Sequence, residues 1–400
     1  MPGSIGTPGS DAVNRVTMLV FEGGRPRSEV EELVVAARKA VVLDNLEKFS
    51  ALQELDRILL HTTYEDLASM AARTRAEIEL VPARGRFHFG EQLAAVVRRH
   101  GPDAVLYMGG AAGSLLGADE VAKVARALAA ADALVLANNV FSSDIVGFAP
   151  ADSILRLEDL PPSDNALAMA LSTLLPVARM DETVGSTFDV DTPADVMVLG
   201  LHPAVGPRAR AAIGGLDLEP AYGRLVRARD TLATHLAEIA AIGRVSPGAV
   251  LYVNQRLKCR MRAFSEERGM KALGRQDRRE VVSLLGCLIE QVGFASFVAA
   301  LDRVADAAFV DSRVLFHHLG LRLSAKDRFS SDLLHVGEVR NPVASRFTES
   351  VRASAIPVVL GGHCLVSGGL RALVDSAVSL QKSGQALELR QDSPSRGRIG

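Results

Sequence analysis

Three aspartates fall within seven positions of the stretch GSTFDVDTPADVMVL (185–199): Asp189, Asp191 and Asp195. Carboxylates at that density suit a hard cation such as Mg2+ or Mn2+, which binds through one or two acidic groups and keeps waters for a phosphate to displace. The same letters also read as a helix start. Asp195 lies two residues past Pro193, in a first turn where a carboxylate suits the positive helix end. Asp191 can cap that helix, bind metal, or do both, and Asp189, directly after the apolar Phe188, is the one expected to face a ligand edge.

Other candidates carry hydrogen bonds or charge. In VFEGGRPR, Gly23 and Gly24 would let backbone N–H groups approach phosphate oxygens while Arg25 and Arg27 offset their charge. The alternative is a short turn with solvated arginines. Gly109 and Gly110 end AVLYMGG, and NNVFSSDIVGF (138–148) sets Asn138, Asn139, two serines and Asp144 directly after an apolar run. Such groups suit recognition of a base, a ribose or an acceptor, or simply build a polar turn. In SDNALAMAL (163–171), Ser163 or Asp164 caps a helix that starts near Asn165. His363 stands between glycine pairs in VVLGGHCLVSGGL as a candidate acid, base or anion contact; a packed glycine turn is the other reading, and the adjacent Cys364 has no identifiable partner acid. His317 and His318 are neighbours about 100° apart on a helix, so one is expected buried and one exposed rather than both on one metal. The basic cluster KCRMRAFSEERGMKALGRQDRR (258–279) either lines the path of an anionic substrate or forms the solvated face of an amphipathic helix.

These residues need a scaffold, and the chain supplies one by pattern. VTMLVF (16–21), RILLHT (57–62), EIELVPA (77–83), AVLYMGG (104–110) and ALVLANN (133–139) read as strands, separated by helical runs over 28–49, from 64, over 90–100 and over 118–131. The strands are nearly all apolar, as in a mostly parallel α/β sheet covered by helices on both faces. Alternation fades at PAVGPRARAAIGG (203–215), which places a boundary between an α/β domain over 15–203 and a mainly helical domain over 204–385. In the latter, RLVRARDTLATHLAEIAAI (224–242), DRREVVSLLGCLIEQV (277–292) and ASFVAALDRVADAAFV (295–310) read as helices, interrupted by the short apolar runs GAVLYVN and AIPVVLGG. Residues 1–14 read as a flexible lead-in and 386–400 as a disordered tail.

The net charge of −2 and the scarcity of aromatics leave no basic stripe or stacking platform, so nucleic acid and membrane are not expected partners, whereas a small molecule is. Three separated cysteines without CxxC spacing, and an opening without a signal-peptide core, are read as cytoplasmic. No uninterrupted apolar run approaches the roughly 20 residues of a spanning helix.

The order of landmarks over 15–202, from VFEGG through YMGG and SDNALAMAL to FDVDTPADV, resembles the nucleotide-diphospho-sugar transferase fold, and within it small nucleotidyltransferases such as molybdenum cofactor guanylyltransferase and 2-phospholactate guanylyltransferase. The resemblance implies transfer of a nucleoside monophosphate from an NTP to a small phosphorylated or acidic acceptor. It implies Asp189 and Asp191 as Mg2+ (or Mn2+) ligands, a phosphate loop at Gly23, Gly24, Arg25 and Arg27, a lysine role for Lys39 or Lys48, and Asn165 as a residue that faces the substrate. The family carries a first acidic ligand after its fourth strand; here Ala111 stands there, and Asp144 is the nearest replacement in sequence order. That departure keeps open a pseudoenzyme or ligand-sensing module that has lost its metal site. A glycosyltransferase of the same fold is a third reading, although DVD falls at the end of the domain rather than midway. The second domain is expected to close over the site or form a homodimer.

Overall fold

The computed structural model describes residues 13–82 and 87–382; the lead-in over 1–12, Ala83 at the end of the third run and the expected tail lie outside the described residues. The apolar runs of the first half form strands where the pattern places them: β1 (Val16–Glu22), β2 (Arg57–Thr62), β3 (Glu77–Leu80), β4 (Ala104–Gly109) and β5 (Leu134–Ala137). Every residue of β1 is buried. One face of its sheet packs on the helices Glu29–Phe49 and Ala118–Ala129, the other on Phe89–His100 and Leu167–Leu171. A strand dry on both faces needs a continuous apolar run, which is why these were legible.

Two short strands escape that pattern. β6 (Ile145–Ala149) and β7 (Val177–Arg179) complete a seven-stranded sheet of order β3-β2-β1-β4-β6-β5-β7. β6 runs antiparallel to β4 and β5, and the remaining pairs are parallel. The stretch read as a polar turn after β5 therefore contains a strand, hidden because only five residues separate its polar flank from Pro150. Strand order reverses between β1 and β4, and open α/β sheets bind ligands outside the carboxyl ends of strands at such a point.

The second half is predominantly helical, as expected, but is organised around its own parallel sheet of order β11-β10-β8-β9. Its strands are β8 (Glu238–Gly243), β9 (Arg260–Ser265), β10 (Ala307–Asp311) and β11 (Val358–Gly361). β8 and β10 finish stretches whose periodicity reads as helix: the observed helices end at Leu232 and Val304, and EIAAIG and AAFVD follow as separate strands. Over five or six apolar residues, periodicity does not separate a buried strand from a buried helix. β9 occupies the start of the basic cluster, which is thus an edge strand, a loop and the single turn of helix Arg275–Arg278 rather than one amphipathic helix, and GAVLYVN lies in the helix Pro247–Arg256. The order of this sheet also reverses, between β8 and β10.

The segment joining the halves is shared by both. Phe188 to Leu199 enters the apolar cluster built on β8, β10 and β11, together with Val34, Ala37 and Val41 of the helix Glu29–Phe49. Packing is tight enough that a Cβ on Gly368 would stand 2.0 Å from the Thr187 carbonyl oxygen. One helix, Leu284–Val304, is by length and composition long and apolar enough to cross a membrane. Glu290 and Gln291 interrupt its apolar run, its backbone leaves helical geometry at Gly293 (φ 77°, ψ 165°), and Phe297, Val298 and Leu301 are buried in the second core.

Candidate active site at the facing sheet edges

At the first switch point the chain leaves β1 at Glu22, whose side chain is 1% exposed, and passes β4 at Gly109 and Gly110. The Gly110 N–H donates to the Phe21 carbonyl at 2.8 Å, and a Cβ there would stand 2.0 Å from Glu22 Oε2, so the two strand ends close over a buried carboxylate only with glycine at 110. Arg38 neutralises that carboxylate. Its Nη2 and Nε donate to Glu22 Oε2 and Oε1 at 2.9 and 3.2 Å, its Nη1 donates to the Val190 carbonyl at 3.0 Å, and Asp191 lies 3.5 Å from the same Nη1. Burial opposes the guanidinium charge, but Glu22, then Asp191 and Asp189, more than reverse this and hold its pKa above the usual arginine value. One side chain of the long helix thus ties the end of β1 to the aspartate segment.

The three aspartates of that segment separate in role. Asp195 is fully buried, and its Oδ2 accepts from the Asp191 and Thr192 N–H groups and the Thr192 hydroxyl at 3.2, 2.8 and 2.8 Å. Thr192, rather than Asp191, is the helix N-cap, with Pro193 in the first turn. Asp195 is structural, and burial pushes its carboxyl up to about 7. Asp189 is half-buried and accepts from the Val190 N–H at 2.7 Å, while Asp191 is 68% exposed at its side chain.

Asp144 joins them. It immediately precedes β6, and because β6 pairs antiparallel with β4 its carbonyl accepts the Gly109 N–H at 2.9 Å, beside the β4 end where Ala111 left a carboxylate wanting. Burial, then Asp191 and Asp164, raise its pKa to about 8; burial, then Asp191 and Asp144, raise that of Asp189 well above the usual range. Lys271 of the second half works in the opposite sense on Asp144. Like charges are therefore held near one another at the edge of the sheet. Among the described residues, however, the one group of three acidic, histidine or cysteine side chains gathered within 4.8 Å is Cys287, Glu290 and His318, elsewhere in the chain. There the Ser283 N–H donates to His318 Nδ1 at 3.1 Å, which leaves the ring proton on Nε2, the atom a metal would need bare.

The polar residues read as ligand contacts are largely engaged by the protein. Asn138 Oδ1 accepts from the Asp144 and Ile145 N–H groups at 3.2 Å each, and its Nδ2 donates to the Ser186 carbonyl at 3.1 Å. Asn139 accepts from the Phe141 N–H at 3.1 Å, closing a turn. Asn165 accepts the Ser142 hydroxyl at 2.6 Å and donates to Asp164, whose other oxygen takes the Tyr107 hydroxyl at 3.1 Å. Their work is to fix Asp144 and its loop. Lys39 pairs with exposed Asp66 at 2.8 Å and lies over the Tyr64 ring, while Lys48 donates to the Leu116 carbonyl and is lowered to about 8 by burial. Arg38, one position before Lys39, is the site cation that reading by motif passed over. Gly23, Gly24, Arg25 and Arg27 stay exposed beyond β1, with the Gly24 N–H donating to the Thr63 hydroxyl at 3.2 Å.

The second sheet presents its carboxyl edge to the same region. Arg244 after β8 donates to Asp311 at the end of β10, at 2.6 and 3.1 Å, across that sheet's own switch point. His363 follows β11; solvent reaches it, yet surrounding protein mass and then Arg244 lower its pKa, against Asp311 and Asp191. The buried Cys364 Sγ accepts the Asp189 N–H at 3.4 Å, and burial raises this thiol well above the usual value. It is a packing and positioning contact for Asp189.

The raised carboxyls make a signed expectation. With a folded pKa near 8 against an ordinary value of about 3.9, protonated Asp144 contributes stability that is fully present below the ordinary value and lost as pH rises through the folded one. By differential scanning calorimetry without metal, the margin by which Asp144→Asn melts above the native protein should then widen by roughly 2 °C or more between about pH 5 and about pH 9. An equal margin at both pH values would remove the electrostatic cluster.

No protein-family model matches the chain, and no curated protein sequence matches it. Solved structures match in part. The crystal structure of a homologue of Mycobacterium tuberculosis Rv0371c from Mycobacterium sp. strain JC1 is 16% identical, over 50% of this chain and 98% of its own, with a TM-score of 0.35. A cytidylyltransferase from Leptospira borgpetersenii serovar Hardjo-bovis is 11% identical over 52% and 96%, TM-score 0.37. A CMP:2-keto-3-deoxy-manno-octonic acid synthetase complexed with CTP is 7% identical over 41% and 88%, TM-score 0.31.

Proposed function

We propose that the chain is a nucleotidyltransferase-like enzyme that moves a nucleoside monophosphate from an NTP to a small phosphorylated or acidic acceptor at the carboxyl edge of the seven-stranded sheet. The observation that carries this reading is that Asp144, Asp189 and Asp191 lie within one another's fields beside the β1–β4 switch point, with Arg38 bridging the strand end to Val190 and Asp191. The place of Asp144 beside the end of β4, where its carbonyl accepts the Gly109 N–H, supports reading it as the acid that Ala111 does not provide, and so an active site over a degenerate one.

The donor set suits Mg2+: hard carboxylate oxygens, with burial first and then the neighbouring aspartates raising the pKa values of Asp144 and Asp189, a cost that a divalent cation would relieve. Asp189 and Asp191, with Asp144 beside them, would hold the ion, which would supply charge to offset that on the phosphates. The chain's own groups do the rest. Arg38 holds the Val190 carbonyl and so orients the carboxylates on either side, Asn138 fixes the start of β6, and the exposed Arg25 and Arg27 attract the triphosphate.

Calorimetric titration of the full chain with each of the four NTPs, with and without Mg2+, tests this. One NTP should bind in a metal-dependent way, and Asp189→Asn or Asp191→Asn should weaken it by about 100-fold, the loss of a charge-assisted contact set. Metal-independent binding, or none, would turn the reading toward a ligand-sensing module.

A further inference from the structure

A cavity of about 410 Å3 lies in the second half, lined by Arg279, Arg313, His317, Arg322 and Arg328 with Asp277 the acidic group among its walls. Arg313 is committed to Asp332 by two hydrogen bonds of 2.7 and 2.6 Å, the pair being 7% and 0% exposed. Among the described residues, Arg279, Arg322 and Arg328 form no salt bridge. The Arg328 Nε–H is moreover buried with no hydrogen-bond partner. A buried guanidinium N–H without an acceptor is costly, and proteins rarely leave one unless a ligand answers it.

Topology points to the same place. Arg313 and His317 belong to the helix Ser312–His318 that leaves β10 directly, so the cavity opens beside the carboxyl ends at which the order of the second sheet reverses. Such a crevice is where a parallel sheet takes a ligand.

We propose that this cavity is an anion site for the phosphate group of a small phosphorylated compound, with the half-buried Arg328 guanidinium as its inner donor and the exposed Arg279 and Arg322 as its outer ones. The volume suits a small metabolite. Guanidinium forks match phosphate oxygens bidentately. Desolvation and then Arg313 depress the Arg328 pKa, and desolvation, Arg244 and Arg328 depress that of His317, as in a basin of excess positive charge. An anion would reverse both effects. The site stands apart from the nucleotide reading, since it uses none of the three site aspartates, although the field of Asp191 reaches Arg328.

Titration of the full chain with inorganic phosphate, at ionic strength held constant with KCl, should show a saturable site that Arg328→Gln weakens by about tenfold or more and Arg322→Gln by less. The thermal midpoint of Arg328→Gln without phosphate should equal or exceed the native one, because the substitution removes an uncompensated charge. Asp189→Asn should leave phosphate affinity unchanged, and Arg328→Gln should leave NTP affinity unchanged, so failure of either site is told from failure of the other. Absence of phosphate binding, or binding equal in Arg328→Gln and Arg322→Gln to the native protein, overturns the proposal.

Discussion

Arg38→Met is expected to destabilise the protein by about 3–5 kcal/mol in urea unfolding, because it leaves the Glu22 carboxylate buried without its partner. The side chain is the hub of the first site. It carries a bidentate pair to Glu22, a bond to the Val190 carbonyl and an ion pair to Asp191, three attachments on segments that are far apart in sequence. Arg38→Lys keeps the charge but not the planar fork, so it should recover only part of the loss. Arg38→Met with Glu22→Gln should recover more, since the orphaned charge is gone. Metal-dependent nucleotide binding should fall in the single variant even where it stays folded, because the aspartate segment has lost its tether. A loss below about 1 kcal/mol would show that Glu22 finds water or another donor, and would remove Arg38 from its central place.

Arg313→Met should be comparably severe, at about 3–5 kcal/mol, through the same imbalance at Asp332. Burial already pushes the Asp332 carboxyl up despite the pairing with Arg313. Once orphaned, it can escape by taking a proton. Its folded pKa would rise further above the unfolded value, so the variant should be least impaired at acid pH and lose stability progressively as pH rises toward neutrality. The pair also fastens the helix Ala325–Asp332 to the edge of the second sheet, so phosphate binding at Arg328 should weaken with it. Urea unfolding at two pH values separates these effects. An unfolding loss independent of pH would mean that packing of the arginine stem, rather than the charge on Asp332, carries the cost.

Legibility followed burial. β1, β2, β4 and β5 were visible because each is a largely apolar run between polar turns, β3 because EIEL alternates polar and apolar residues, and helices such as Phe89–His100 because their buried positions recur at helical spacing. β8 and β10 were not, because each is short and follows a helix after a few linking residues, with no change of composition to mark the switch. In the site, Asp189 and Asp191 could be found from their density and Asp195 from its distance to Pro193. Asp144 could be named but not placed, since its position depends on an antiparallel strand too short to read. Arg38 carried one signal that went unused: a cation near the middle of a long helix, set among the apolar Ala37, Ala40 and Val41, lies beside the face that packs on protein.

By itself the sequence determined the central strands, the helices that cover them and the acidic segment over 189–195, because apolar period and capping chemistry are local properties. Only the tertiary structure decided which charges meet. Glu22 with Arg38, Asp144 with Asp189, and Arg313 with Asp332 are pairings between elements whose approach depends on strand order and on a shared core, and no local pattern encodes that order. The same holds for Arg328, whose chemistry comes from a donor left unanswered by everything packed around it.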